Sequence, residues 1–181
     1  MELEAPVSST DSKSRVTELV VRVQEGDTSA FEALYQETHR LARKVALAMV
    51  NPQLVDDIVQ ESYIVVYQKV RQLDDPRAFP AWLSRLVIHI CYKAQRKKRE
   101  DEPLPEEGPQ TADTTAKALA TLALRQALDR LQKDDREILI LRELLQLSYE
   151  EVAYALVLPV GTVKSRLNTA RKRLKDRLEM A

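Results

Sequence analysis

The sequence contains one cysteine, three glycines and no net formal charge in 181 residues. With Cys91 alone, no internal disulfide is possible, and a reducing cytoplasm fits. No apolar run approaches the ~20 residues that a membrane span needs. The longest, Val45 to Val50, closes an amphipathic helix. The first residues, MELEAPVSSTDSKSR, are acidic and rich in Ser and Thr, unlike a signal peptide. No GxxxxGK[ST] loop, nucleophile elbow or metalloprotease motif is present. His89 and Cys91, with His39 far away, lack the ligand count and spacing of a zinc site. Neither an enzymatic activity nor a metal or other cofactor is therefore expected. Zero net charge argues against a protein that simply coats DNA.

What is present is segregated charge on a helical background. Hydrophobic residues make up 44% and charged residues 31% of the chain, with eight prolines, as suits a soluble, mostly helical protein. Arg96-Lys97-Lys98-Arg99 and the segment from Lys164 to Arg177 are basic. Glu100 to Glu107, and Asp56-Asp57 with Glu61, are acidic. This pattern implies two cationic surfaces with acidic surfaces between them.

Apolar periodicity divides the chain into two all-α bodies. Residues 1–14 read as a loose tail. A first helix is expected from Val16 to Glu25, ended by Gly26. Asp27 can cap a second, built on Phe31, Leu34, Tyr35, Leu41, Val45 and Met49 and broken by Asn51-Pro52. A third is expected from Gln53 to Val70 on Leu54, Ile58, Val65 and Val66. Leu73 to Phe79 reads as a loop. Pro80 suits the first turn of a fourth helix carrying Trp82, Leu83, Leu86, Val87 and Ile90, which runs out at Arg99. Residues 15–99 thus form a four-helix bundle. Residues 100–114, acidic and rich in Pro, read as a flexible linker that could reach about 50 Å when extended. Residues 115–181 form a smaller helical body, with one helix on Leu119, Leu122, Leu128 and Leu131 and another from Asp134 to Leu145.

The most informative segment is SYEEVAYALVLPVGTVKSRLNTARKR, from Ser148 to Arg173. Ser148 and Glu151 have capping-box spacing. Val152, Ala153 and Leu156 give the first helix its apolar stripe. Pro159 is expected to end it, and Gly161 to allow a sharp turn. The next helix is expected near Thr162, with Val163, Leu167, Ala170 and Leu174 spaced by four, three and four. Lys164, Ser165, Arg166, Asn168 and Thr169 occupy the other faces, followed by Arg171, Lys172 and Arg173. An apolar inner stripe with a cationic, hydrogen-bonding outer face is what a helix in a DNA major groove requires. A solvated hairpin with a basic face is the plainer alternative.

Taken together, the ordered segments FEALYQETHRLARKVALAMV, DDIVQESYIVVYQKV, AFPAWLSRLVIHICYKAQRKKR and ALDRLQKDDREILILRELLQLSYEEVAYALVLPVGTVKSRLNTARKRL resemble the extracytoplasmic-function sigma factors of bacterial RNA polymerase. The resemblance runs from Val16 to Leu178 and implies sigma domains 2 and 4 without domain 3. It implies docking of Asp56, Asp57, Gln60 and Glu61 on the β′ clamp helices of core polymerase. It also implies contact of the C-terminal body, around Leu141 and Leu144, with the β flap. For the −10 element it implies Arg77 and Phe79 beside a flipped base, with Trp82, Arg85, Lys93, Arg96, Lys97 and Arg99 on the same DNA. For the −35 element it implies Thr162, Lys164, Ser165, Arg166, Asn168 and Thr169, with Arg171, Lys172 and Arg173 as backbone clamps. An anti-sigma partner between the two bodies is a further implication. With no ATPase motif, strand opening would rest on tighter binding of the open form, helped by stacking worth roughly 1–3 kcal/mol per base.

The sequence departs from the family pattern at His89 (usually Asn), Lys93 (often Asp), Val157 (often Gly), Asn168 (aromatic or His) and Thr169 (often basic). Those positions bear on promoter preference and on turn geometry. Trp82 reads equally as a core anchor. A stand-alone regulator, dimerising through its N-terminal bundle and using the helix-turn-helix alone, is the alternative function.

Overall fold

The computed structural model describes residues 9–101 and 116–179, with side chains for 12–97 and 123–179. Among these residues every regular element is helical. The N-terminal body comprises α1 (Ser9–Gln24), α2 (Thr28–Met49), α3 (Val55–Lys69) and α4 (Phe79–Asp101). The C-terminal body comprises α5 (Ala116–Asp129), α6 (Lys133–Leu139), α7 (Tyr149–Leu156) and α8 (Val160–Glu179). Helix α1 begins seven residues before the expected Val16, inside the stretch 1–14 read as a tail. Most of the expected linker lies outside the described residues, although Glu100 and Asp101 continue α4.

Local chemistry sets the helix boundaries. Gly26 turns the chain at a φ of 100°, which glycine adopts without a Cβ clash. Asp27 then caps α2, its carboxylate accepting from the Ser29 and Ala30 backbone N–H groups. The Ser29 hydroxyl, the Arg22 guanidinium and the Ala30 N–H hold this carboxyl well below the usual range. Short 3₁₀ turns at Pro52–Leu54 and Val70–Gln72 bracket α3, so the regular helix is shorter than expected. The supposed loop before α4 is anchored: Leu73 and Ala78 are buried, and Asp75 caps the turn Pro76–Ala78.

Most of the expected apolar positions point inward, but Tyr35 of α2 is exposed. Leu34, Val45 and Met49 of α2, Ile58 and Val66 of α3, and Leu83, Val87 and Ile90 of α4 are buried. Thr38 is buried too, bonding to the Leu34 carbonyl and the Tyr63 hydroxyl at 2.6 and 2.7 Å. Burial pushes the Tyr63 phenol above its ordinary range.

Two expectations fail in the C-terminal body. The helix expected from Asp134 to Leu145 stops at Leu139 and widens into a π-helical turn over Ile140–Leu144. The helix-turn-helix bend is made by Val157, not Gly161. Val157 adopts the left-handed conformation (φ 55°, ψ 50°) at the end of α7. Gly161 lies inside α8, in open space. Pro159 immediately precedes α8 rather than ending α7.

The two bodies share one continuous hydrophobic core. Helix α4 packs on α7, and α2 packs on α5 and the π-helical turn.

Candidate nucleic-acid and polymerase interfaces

Three surfaces collect the residues singled out by sequence. The first is the outer face of α3. Its apolar positions, including Val55, Ile58, Val59 and Val66, turn inward, which drives Asp56, Asp57 and Gln60 into solvent. Glu61 is half-exposed and receives the Lys93 ammonium of α4 at 2.9 Å. Asp56 pairs with Arg43 of α2. The same face continues through Ile64 and Tyr67, which are 53% and 62% exposed. Their spacing from Gln60, four and seven residues, places all three on one side of the helix. Sequence reading missed them because an apolar residue in a helix is first assigned to the core. The available signal was that both fall out of phase with Ile58 and Val66. Phe31, Tyr35, Val59, Tyr63, Ile64 and Tyr67 line a groove of about 660 Å³ beside the acids.

The second surface is the start of α4. Arg77 is exposed, and its guanidinium contacts Asp75 at 3.0 Å, which holds that carboxyl below the usual range. Phe79 is a correction. Expected beside a flipped base, its ring is instead fully buried in the core and lies 5.8 Å from the Trp82 ring, beneath the surface. Trp82 is half-buried and packs against the core, while Arg85, His89, Lys93, Arg96 and Lys97 are exposed. The Arg99 side chain lies outside the described residues.

The third surface is α8. Val163, Leu167 and Ala170 are buried, as the four-three spacing requires, and Leu174 is half-buried. Lys164, Ser165, Arg166, Asn168, Thr169, Arg171, Lys172 and Arg173 are exposed, and Thr162 is half-buried. The capping box forms in full: Glu151 N–H donates to Ser148 Oγ at 3.1 Å, and Ser148 N–H donates to Glu151 at 2.7 Å. That bond pair fixes the start of α7.

Several α8 cations already hold acids of their own body. Arg173 reaches the largely buried carboxylate of Asp135 at 2.6 Å, and Arg171 reaches Glu143 at 2.6 Å. Arg166 approaches Asp134 at 3.4 Å. Lys164 lies 5.5 Å from the Tyr149 ring centroid. Arg171 and Arg173 therefore orient α8 as well as presenting charge. Leu141, expected near a polymerase contact, is fully buried, whereas Leu144 is half-buried.

No group of three or more His, Cys, Asp or Glu among the described residues could hold a metal ion. None of the described helices is long and apolar enough to cross a membrane.

Comparison with known proteins decides what this arrangement is. The family model for Sigma-70 region 2 matches residues 30–100, and that for Sigma-70 region 4 matches residues 121–174. The ECF RNA polymerase sigma-E factor of Salmonella typhimurium is 32% identical over 180 residues, covering 89% of this chain and 93% of that protein. The RNA polymerase sigma-H factor of Pseudomonas aeruginosa is 31% identical over 183 residues, covering 90% and 93%. The chain belongs to the extracytoplasmic-function sigma factors. It is an alternative sigma factor, binding core RNA polymerase and directing promoter-specific initiation.

Solved structures share the fold. CnrH, in complex with the cytosolic domain of CnrY, superposes with a TM-score of 0.72 at 24% identity, covering 92% of this chain and 98% of that one. The sigma factor RpoE of Bartonella quintana, in complex with the anti-sigma factor NepR, gives 0.65 at 24% identity, covering 82% and 96%. The likeness spans both helical bodies.

Proposed function

We propose a division of labour among the three surfaces. The outer face of α3 docks on the β′ clamp helices of core polymerase through Asp56, Asp57, Gln60 and Glu61, with Ile64 and Tyr67 adding apolar contact. The continuity of acids and exposed apolar residues on one helix face carries this reading. Such a face suits an arginine-bearing helix, since carboxylates accept bidentate bonds and apolar side chains anchor the centre.

The −10 element meets the start of α4. Trp82 offers its ring for stacking of an unpaired base, and Arg77, Arg85, Lys93, Arg96, Lys97 and Arg99 hold phosphates. Phe79 positions Trp82. The −35 element meets α8, with Lys164, Ser165, Arg166, Asn168 and Thr169 toward base edges and Thr162, Arg171, Lys172 and Arg173 toward the backbone. The His89 and Lys93 departures alter the face that follows Trp82, and the Asn168 and Thr169 departures alter the groove-facing side of α8. Both elements are therefore expected to differ from the family's common sequences. Residues 100–114 link domain 2 (15–99) to domain 4 (115–181), and domain 4 meets the β flap through the Leu144 side of its π-helical turn.

The protein performs no catalysis itself and acts in the cytoplasm beside the polymerase. An anti-sigma factor is expected as its partner, since sigma factors of this fold occur in such complexes. Run-off transcription with core polymerase over a promoter library tests the reading. A defined pair of enriched elements is the expected result, and transcription indifferent to Lys164→Ala with Arg166→Ala would refute it.

A further inference from the structure

Two of the acids on the outer face of α3 are already held by cations of their own body. Asp56 pairs with Arg43 of α2, and Glu61 receives the Lys93 ammonium of α4 at 2.9 Å. The Glu61 and Lys93 side chains are 44% and 63% exposed, so either group can change partners in contact with water. Lys93 belongs to a row. Arg85, His89, Lys93 and Lys97 follow one another at intervals of four, which sets them on one side of α4, and all four are exposed. The Lys93 ammonium therefore stands at the seam between the acidic face of α3 and the cationic row of α4. The family often has Asp where this chain has Lys93, and a carboxylate there would repel Glu61.

An ammonium beside a carboxylate offsets much of the charge that the carboxylate shows to a third group. Here Lys93 occupies one oxygen of Glu61, whereas an arginine fork arriving from a partner helix uses both oxygens for its two parallel bonds. A phosphate that draws the ammonium away returns the full charge to Glu61. An exposed ion pair is weak, which suits an exchangeable contact: its loss shifts an equilibrium by a factor of about two to five, not by orders of magnitude.

We infer that Lys93 is a shared cation, which competes with core polymerase for Glu61 and joins polymerase docking to −10 contact. The inference rests on the docking role of α3 and the DNA-facing role of α4 proposed above. In the free chain Lys93 holds Glu61 and lowers its attraction for the clamp helices. When promoter phosphates take the ammonium, Glu61 is released to its polymerase partner. When the polymerase takes Glu61, the ammonium is released to DNA. Reciprocity gives both effects the same factor. A chain with Asp at this position has no such pair, so the exchange belongs to this chain's own residue.

Four full-length chains test the exchange: wild type, Lys93→Ala, Glu61→Ala and the double variant. Each is titrated with purified core polymerase and, as holoenzyme, assayed for open-complex lifetime. Lys93→Ala should raise affinity for core polymerase about two- to fivefold and shorten the open-complex lifetime, two shifts of opposite sign. Glu61→Ala should weaken core affinity, and adding Lys93→Ala to it should then change nothing further, because the competition has gone. The exchange is overturned if Lys93→Ala leaves core affinity unchanged or lowers it. It is overturned equally if the gain is the same with and without Glu61, which would mark a general effect of net charge. A gain in core affinity beside an unchanged lifetime refutes the sharing with DNA. If Glu61→Ala by itself keeps wild-type core affinity, the docking role of Glu61 fails instead.

Discussion

Helices α4 and α8 both face promoter DNA in this account, yet they are built on different plans. Helix α8 buries three residues, Val163, Leu167 and Ala170, and leaves nearly everything else in solvent. Helix α4 buries Phe79, Ala81, Leu83, Ser84, Val87, Ile88, Ile90 and Cys91 and keeps Trp82 half in and half out. On α8, folding and recognition use separate side chains. On α4, neighbouring aromatic residues divide the two tasks, and one residue, Trp82, takes part in both.

The sharpest way to break that contrast is to truncate the two aromatics separately. Phe79→Ala should cost about 3–5 kcal/mol of stability, since it empties a fully buried site, as urea unfolding would show. Trp82→Ala should leave more of the fold but weaken open-complex formation by roughly 1–3 kcal/mol, the value of one stacked base, measured by permanganate footprinting. Equal losses of stability from both would dissolve the distinction.

On α8, loss of Lys164 or Arg166 should leave the unfolding midpoint nearly unchanged. Each substitution to alanine should weaken promoter binding and lower the slope of log affinity against log salt by about 1. A large loss of stability would mean that these cations hold the fold together. A smaller effect is expected at the turn between α7 and α8. Val157 is 76% exposed and occupies left-handed backbone, so glycine loses little packing and relieves the Cβ clash. Val157→Gly should stabilise the C-terminal body by about 0.5–1 kcal/mol after the added freedom of the unfolded chain is subtracted.

These positions also mark what the sequence could reveal. The spacing of Val163, Leu167 and Ala170 exposed α8 at once, because a stripe of buried residues on a polar helix has one interpretation. Asp27 and the Ser148–Glu151 pair were legible for the same reason: capping chemistry is local. Phe79 was not legible, since an aromatic residue near a loop suits core and ligand equally, and only tertiary packing separates them. Val157 was missed as the bend because propensity assigns left-handed backbone to glycine, and Gly161 stood nearby. Arg125 and Arg136 were invisible as helix-end donors, because their partners lie 78 to 88 residues away in the chain.

A pH-dependent effect is expected from Cys91 in α4. Burial pushes its thiol up to about 12, with a minor opposing pull from Arg136. An acid whose folded pKa is raised keeps its proton when the unfolded chain has lost it. Stability should therefore fall as pH rises above the ordinary thiol value of 9. Denaturant midpoints between pH 8 and 10 would check this, and Cys91→Ala should reduce the slope.

The central claim is that the α3 face joins this chain to the polymerase. Size-exclusion chromatography of the full chain with core polymerase tests it most directly. The account predicts co-elution for wild type and a loss of complex for Gln60→Ala with Glu61→Ala, at unchanged thermal stability. Co-elution of that double variant at wild-type affinity would contradict it.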